Sequence, residues 1–238
     1  MAIIIDGQFN GPPESGNGGY VAGLVADLIS EGPDTFEIAL KAPPPMDTPL
    51  TAQTGENGAL QLMDGETLLV EGRLKDDWSL DLPEFAPPGP ERATRGSNEL
   101  GFDNCFVCGS NRTQGDGLCL FSAKKEDPSN QWSAPLIVDP AFCDEKGFFR
   151  RRFVVCALDC PGYAAVGEGE LAVLARFVFS VTGTLKAGDE ARVHAWPISV
   201  SGRKRIAGTA IIAPSGDVIA RAEALWITIK PEQLRKAS

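Results

Sequence analysis

The feature that most constrains the fold of this chain is an apolar helical segment followed by strand-like runs, and this pattern occurs twice. The first helix is predicted over residues 20–29, YVAGLVADLI, with Asn17 as its N-cap. The segment is apolar on almost every face, so we expect it to be buried. Strand-like runs follow at residues 35–41, 48–53, 59–63 and 67–74.

The second occurrence of the pattern is longer. A strand is predicted over residues 132–138 and a helix over residues 153–166. Further strands are predicted at residues 171–181, 191–200, 205–213 and 218–229. In both halves the last two strands flank a turn, and superimposing Gly65 on Gly216 aligns the two hairpins without a gap. This repetition predicts an internal duplication.

The pattern indicates how the two halves are built. Each predicted sheet has one apolar face, and each half offers one apolar helix that can cover it. We therefore expect an α+β fold of the double hot-dog kind, in which two antiparallel sheets, each wrapped around a central helix, are joined within one chain. A Pro-rich stretch at residues 82–97 predicts a linker, with a first unit over residues 1–96 and a second over residues 97–238. A duplicated sandwich without a buried helix is the structural alternative.

Charge and hydropathy exclude several classes of protein. The formal net charge of -10 disfavours nucleic-acid binding, which depends on clustered Lys and Arg. The sequence has neither an apolar run of about 20 residues nor an N-terminal signal, so we expect no membrane insertion and a cytoplasmic location. One basic cluster, formed by Arg150, Arg151 and Arg152, is either a solvated patch or a contact for the phosphates of CoA.

The six cysteines all lie in the middle third of the sequence. In a cytosolic chain of this size they indicate reduced thiols rather than a disulfide framework. Cys105 and Cys108 could form half of a zinc site. However, a second pair at ligand spacing is missing, and the single histidine, His194, lies in a strand-like run. The sequence therefore predicts no bound metal and no cofactor.

Two stretches in the second half resemble one family, the hot-dog thioesterases of the phenylacetate-pathway type. Residues 104–121, NCFVCGSNRTQGDGLCLF, are similar to the Cys-x-x-Cys-Gly and Gly-Leu-x-Leu-x-Phe sequence before the first strand of many members. Residues 153–165, FVVCALDCPGYAA, resemble the central helix of the same family. This resemblance implies that Asp159 stands where those enzymes keep their catalytic carboxylate.

A third stretch that resembles this family lies in the first half. Residues 9–27, FNGPPESGNGGYVAGLVAD, resemble the loop that leads into the central helix in this family. Gly18 and Gly19 match its glycine pair, while Asn17 occupies the place of the usual histidine. The resemblance implies a thioester hydrolase that acts on an acyl thioester such as an acyl-CoA.

Thioester hydrolysis needs a hydrogen-bond donor for the carbonyl oxygen and a base or nucleophile. The amides of Gly18 and Gly19 are candidate donors, because the first N–H groups of a helix have no partner within it. Asp159 is the candidate base or nucleophile. Asp27, its counterpart in the first helix, is a further candidate for substrate contact, with a surface position as the alternative reading.

The spacing of these residues leaves two interpretations open. The residue eight positions before Asp159 is Arg151 rather than glycine, so neither half clearly holds both the glycines and the acid. Either the halves contribute to one composite site, or the sites only bind. A non-catalytic protein that binds acyl groups or CoA is thus the functional alternative. A hydratase is disfavoured, because a single strand-borne His194 cannot supply its Asp–His pair. We expect a monomeric pseudo-dimer or a homo-oligomer of it.

Overall fold

The structure is a computed structural model that describes residues 2–85, 102–125, 130–230 and 232. Within these residues, the α-helices longer than one turn are α1 (Gly18–Ile29), α2 (Arg151–Ala157) and α3 (Asp159–Val166). The strands are β1 (Ala2–Ile3), β2 (Thr35–Leu40), β3 (Leu50–Thr54), β4 (Leu60–Asp64), β5 (Thr67–Leu74), β6 (Ala123–Lys124), β7 (Trp132–Ile137), β8 (Ala172–Val181), β9 (Glu190–Ser201), β10 (Lys204–Ile212) and β11 (Val218–Thr228).

All of these strands belong to one antiparallel sheet, in the order β1-β3-β4-β5-β2-β8-β11-β10-β9-β7-β6. The strands of the first half lie on one side, and they meet the strands of the second half where β2 pairs with β8. The predicted α+β class is confirmed, and the two predicted sheets are the two sides of one continuous sheet. The division into two hot-dog units stays a prediction, because the proposed boundary at residue 96 lies outside the described residues.

The hairpin turns lie where the sequence places them. Gly65 has a φ of 55° between β4 and β5, and Gly216 has a φ of 90° between β10 and β11. Both angles fall in the left-handed region that glycine adopts without a steric penalty. The choice of glycine at these two turns therefore has the same physical reason in both halves.

The predicted helix over residues 153–166 is interrupted in the structure. Helix α2 ends at Ala157, and α3 begins at Asp159 after Leu158. Pro161 explains the break, because proline has no N–H to donate to the carbonyl of Ala157, and its ring would collide with that carbonyl in a regular helix. The break places Asp159 in the first turn of a new helix.

Part of the predicted linker is packed against the sheet. Leu82 and Phe85 lie, together with Trp78 and Leu80, against Trp196 of β9 in a small apolar cluster. This cluster is separate from the main core, which surrounds α1 and α2. The first residues of the predicted linker are thus part of the folded structure, and residues 86–97 lie outside the described part of the chain.

Helices α1 and α2 approach each other closely through two glycines of α1. A Cβ atom at Gly19 would lie 2.6 Å from the Cβ of Asp159 and 3.0 Å from the Cα of Cys156. A Cβ atom at Gly23 would lie 2.6 Å from the Cα of Arg152. These distances are too short for any side chain, so the contact depends on the absence of Cβ atoms at both positions.

We expect Gly23→Ala to lower the free energy of unfolding. The added methyl group meets backbone atoms of α2, and overpacking of this kind costs about 1–3 kcal/mol, which exceeds the gain in helix propensity of about 1 kcal/mol. Urea denaturation measures the effect. Gly162→Ala in α3 is the matched control, because a Cβ atom there meets Thr209 Cγ2 at 3.2 Å and nothing closer. Equal stability of Gly23→Ala and wild type would contradict this account of the helix contact.

Candidate functional site

Asp159 lies against the N-terminus of α1, although the two are 140 residues apart in sequence. The amide N–H of Gly19 donates a hydrogen bond of 2.8 Å to Asp159 Oδ2. The Asp159 side chain is buried, and its Oδ1 has no hydrogen-bond partner among the described residues. A buried carboxylate oxygen without a partner is costly, so it marks this position as a candidate for binding a water molecule or a ligand.

Asn17 caps α1 as predicted. Its Oδ1 accepts a hydrogen bond of 2.9 Å from the amide of Tyr20, and it also accepts one of 3.2 Å from Cys156 Sγ. The side chain is buried, and it fixes the orientation of the first turn. Gly19 donates to Asp159, whereas the N–H of Gly18 has no partner in the part of the chain that the structure describes. Of the two predicted donors, Gly18 is therefore the one that is free.

These residues face a cavity of about 180 Å³ where the two halves of the sheet meet. Asn17, Gly18 and Asp159 line it. The lining also includes residues that are mostly apolar, with one lysine and three thiols, and of these the sequence pointed only to Cys105 and Cys108: Leu40, Lys41, Ala42, Phe102, Cys105, Cys108, Cys160, Tyr163, Ala172, Leu174 and Trp226. Polar groups thus converge on one side of a largely apolar space, as in small-molecule sites.

Burial changes the acidity of the side chains at this site. Desolvation raises the pKa of Asp159 to about 7, against the opposing effect of the hydrogen bond from Gly19. Burial also raises the pKa of the Cys156 thiol well above its usual value. Cys156 is therefore a neutral thiol that packs in the core, whereas Asp159 exchanges its proton near neutral pH.

The basic cluster has a different environment from the one predicted. Arg151 Nε lies 2.8 Å from Asp27 Oδ1, and Arg152 Nε lies 3.0 Å from Asp27 Oδ2. Arg151 also donates to the carbonyl oxygens of residues 26, 30 and 32 at the C-terminal end of α1. The cavity at Asp159 is not lined by Asp27, Arg151 or Arg152. Arg150 is exposed at the start of α2. The predicted substrate contacts of Asp27 and the arginines therefore have no support in the geometry of this site.

His194 is separated from Asp159. Its ring stacks on Phe85, with 4.4 Å between the ring centroids, and it lines a second cavity of about 790 Å³ that does not include Asp159. Burial, together with the charges of Arg192 and Lys125, lowers the pKa of His194 to about 4. The histidine and the aspartate therefore do not form the pair that a hydratase requires.

Three thiols from separate parts of the sequence meet at the cavity wall. The Sγ atoms of Cys105, Cys108 and Cys160 lie within 4.8 Å of one another. The sequence indicates the first two as a possible half-site, but it does not connect Cys160 to them. No spacing rule could have done so, because Cys160 belongs to α3 and reaches the loop only through the fold.

Comparison with solved structures supports the hot-dog fold at low sequence identity. A candidate thioesterase from Novosphingobium aromaticivorans is similar over 96% of this chain and 95% of its own, with a TM-score of 0.67 and 14% identity. A candidate thioesterase II from Thermobifida fusca is similar over 96% and 92%, with a TM-score of 0.60 and 12% identity. A hot-dog-fold protein of unknown function from Alicyclobacillus acidocaldarius is similar over 95% and 91%, with a TM-score of 0.56 and 10% identity.

The predicted resemblance to hot-dog proteins is thus confirmed at the level of the fold. No protein-family model matches the chain, and no curated protein matches it. No helix in the described residues has the length and apolar character needed to cross a bilayer.

We expect His194 to make the protein sensitive to acid. Its pKa is about 6.5 in the unfolded chain and about 4 in the folded one, so only the unfolded state takes up the proton between these values. Stability is therefore lost as the pH falls from about 6.5 to about 4, by on the order of 2 kcal/mol. His194→Phe cannot titrate. As the pH falls, the free energy of unfolding of the wild type, measured by urea denaturation, should decrease relative to that of His194→Phe. A difference between the two proteins that does not change with pH would refute this assignment.

Proposed function

We propose that this protein hydrolyses an acyl thioester and that Asp159 is the catalytic carboxylate. One observation carries the proposal: a buried carboxylate, with one oxygen unpartnered, lies against a helix N-terminus in a cavity that both halves line. A base and a hydrogen-bond donor, the two groups that hydrolysis requires, are thereby in one place. The similar structures named as candidate thioesterases agree with this reaction class.

The carbonyl oxygen of the thioester is expected to accept a hydrogen bond from Gly18 N–H. This amide lies at the first position of α1, where the helix dipole is positive, and it lines the cavity. Negative charge develops on the carbonyl oxygen during attack, so a fixed N–H group stabilises the transition state more than the substrate. Gly19 has a different role, because its N–H holds Asp159 in place.

Asp159 is expected to act as a general base on a water molecule through its free Oδ1. The water oxygen attacks the carbonyl carbon while its proton passes to Asp159; the tetrahedral intermediate then expels the thiolate, which takes up that proton. A carboxyl group with a pKa of about 7 suits this transfer at neutral pH. Direct attack by the carboxylate, giving a mixed anhydride that water then hydrolyses, is the other route for the same residue.

The cavity indicates which part of a substrate it could hold. Its walls near the thioester position are apolar, with Leu40, Leu174 and Trp226 among them. Its volume is below the roughly 300–1,000 Å³ of drug-sized ligand sites, so we propose that it holds the acyl end of an acyl-CoA while the nucleotide stays outside. Of the described residues that line the cavity, Lys41 is the cationic one, and it could meet the polar part of such a substrate.

Non-catalytic binding of an acyl group or CoA is a second candidate function. The hydrogen bond from Gly19 to Asp159 favours it. This bond uses the N–H of one of the two predicted oxyanion donors and one oxygen of the carboxylate, so neither group is fully available for catalysis. Asn17, at the place of the usual histidine, serves as a helix cap, and its Nδ2 donates a hydrogen bond of 4.0 Å to Cys105 Sγ. A binding protein would bind acyl-CoA and rise in melting temperature without turnover.

We predict that Asp159→Asn lowers kcat for acyl-CoA hydrolysis by about 100-fold or more, because an amide cannot accept the proton of water. The asparagine keeps the shape and can still accept the hydrogen bond from Gly19. Thiol release is followed with a thiol reagent on a panel from acetyl-CoA to palmitoyl-CoA. Asp217→Asn, in the exposed turn before β11, is the matched control and should retain wild-type turnover.

Two results would count against the proposal. Equal turnover of wild type and Asp159→Asn would remove Asp159 from the chemistry. A wild-type protein that binds acyl-CoA, as judged by a raised melting temperature, but releases no thiol from any substrate of the panel would establish the binding function instead.

A further inference from the structure

The three thiols on the cavity wall form a compact cluster with one open side. Cys105 is buried, and Cys108 and Cys160 are partly accessible. All three line the same cavity as Asp159. Their sulfur atoms are mutually within 4.8 Å, and the Sγ atoms of Cys105 and Cys160 are 3.7 Å apart. The cluster therefore presents three soft donor atoms towards a space that a small ligand can reach.

The spacing of the sulfur atoms suits a metal ion better than a disulfide. A disulfide requires about 2.05 Å between the sulfur atoms. A tetrahedral zinc ion with Zn–S bonds of about 2.3 Å separates two thiolates by about 3.8 Å, close to the 3.7 Å between Cys105 and Cys160. A small movement of Cys108 would complete a triangular face of the same tetrahedron.

The loop that carries Cys105 and Cys108 is a tight turn that holds their sulfur atoms within 4.8 Å of each other. The loop then closes through a hydrogen bond of 2.8 Å from Gly109 N to Cys105 O. Gly109 permits this turn, because a Cβ atom there would lie 2.5 Å from the carbonyl oxygen of Asp103. The turn therefore fixes two potential metal ligands next to each other before any metal is bound.

We propose that Cys105, Cys108 and Cys160 bind one zinc ion whose fourth coordination position faces the cavity. Thiolates are soft ligands that select zinc among the common divalent ions, and three protein ligands with an open fourth position characterise zinc sites that exchange a ligand. Binding releases the thiol protons to solvent. The fourth ligand is a water molecule or a sulfur or oxygen atom of whatever occupies the cavity. The test of this site does not depend on the proposed hydrolysis, because metal binding is measured without substrate.

The test is metal binding by the full-length protein, purified under reducing and oxygen-free conditions. Zinc content by mass spectrometry should reach about one equivalent per chain. Titration with Co²⁺ should give the intense thiolate-to-cobalt absorption in the near ultraviolet and the visible bands of a tetrahedral site, and Zn²⁺ should displace it. Cys108→Ser and Cys160→Ser should weaken Co²⁺ binding by on the order of 100-fold.

Cys143→Ser is the matched control, because Cys143 is buried elsewhere and its Sγ donates to the carbonyl of Asp139. It should bind Co²⁺ like the wild type. The wild-type titration decides the question even if a cluster variant fails to fold, which circular dichroism would reveal. The proposal is overturned if reduced wild type binds neither ion, if folded Cys108→Ser and Cys160→Ser bind as tightly as wild type, or if mass spectrometry finds these cysteines joined in a disulfide in reduced protein.

Discussion

The close contact between α1 and α2 is the constraint on which the rest of this structure depends. Gly19 and Gly23 remove the side chains that would hold the helices apart, so the N-terminus of α1 comes within hydrogen-bond distance of Asp159. Burial at this contact raises the pKa of Asp159 to about 7, while the hydrogen bond from Gly19 acts in the opposite direction. A charged carboxylate buried without a partner would cost several kcal/mol, and the N–H of Gly19 offsets part of this cost. Packing and acidity at the site therefore have one cause.

The sequence predicts the secondary structure well because its signals are local. The apolar helix, its Asn17 cap and the glycines of the two hairpin turns each depend on a few neighbouring residues, and the strands follow with shifts of one or two positions at their ends. The break at Leu158 was missed, although Pro161 signals it, since proline disrupts the helix one turn earlier in the chain. The pairing of β2 with β8 joins distant segments, and no local pattern specifies its register.

The site was harder to predict than the fold, since its parts come from different halves. The resemblance of residues 153–165 to a family's central helix points to Asp159, but counting along one helix does not find its partner across the helix contact. The spacing of Gly19 and Gly23 is the sequence signal for this helix contact, because two glycines four residues apart lie on one face of a helix and allow close packing there. The thiol cluster has a weaker signal. The arginine cluster has an ambiguous one, since charge alone does not distinguish a phosphate contact from the ion pairs that Arg151 and Arg152 form with Asp27.

The predicted duplication suggests why the chain would hold one such site rather than two. Asp27 follows Gly19 by eight residues, as Asp159 follows Arg151, so Arg151 and Asp27 stand at positions equivalent to Gly19 and Asp159. The contacts obey the same equivalence: Gly19 donates to Asp159 at 2.8 Å, and Arg151 donates to Asp27 at 2.8 Å. At the second position the long arginine side chain forms an ion pair with the carboxylate and donates to the carbonyl groups at the end of α1. One of the two equivalent helix contacts therefore faces the cavity, and the other is an ion pair that joins the two helices.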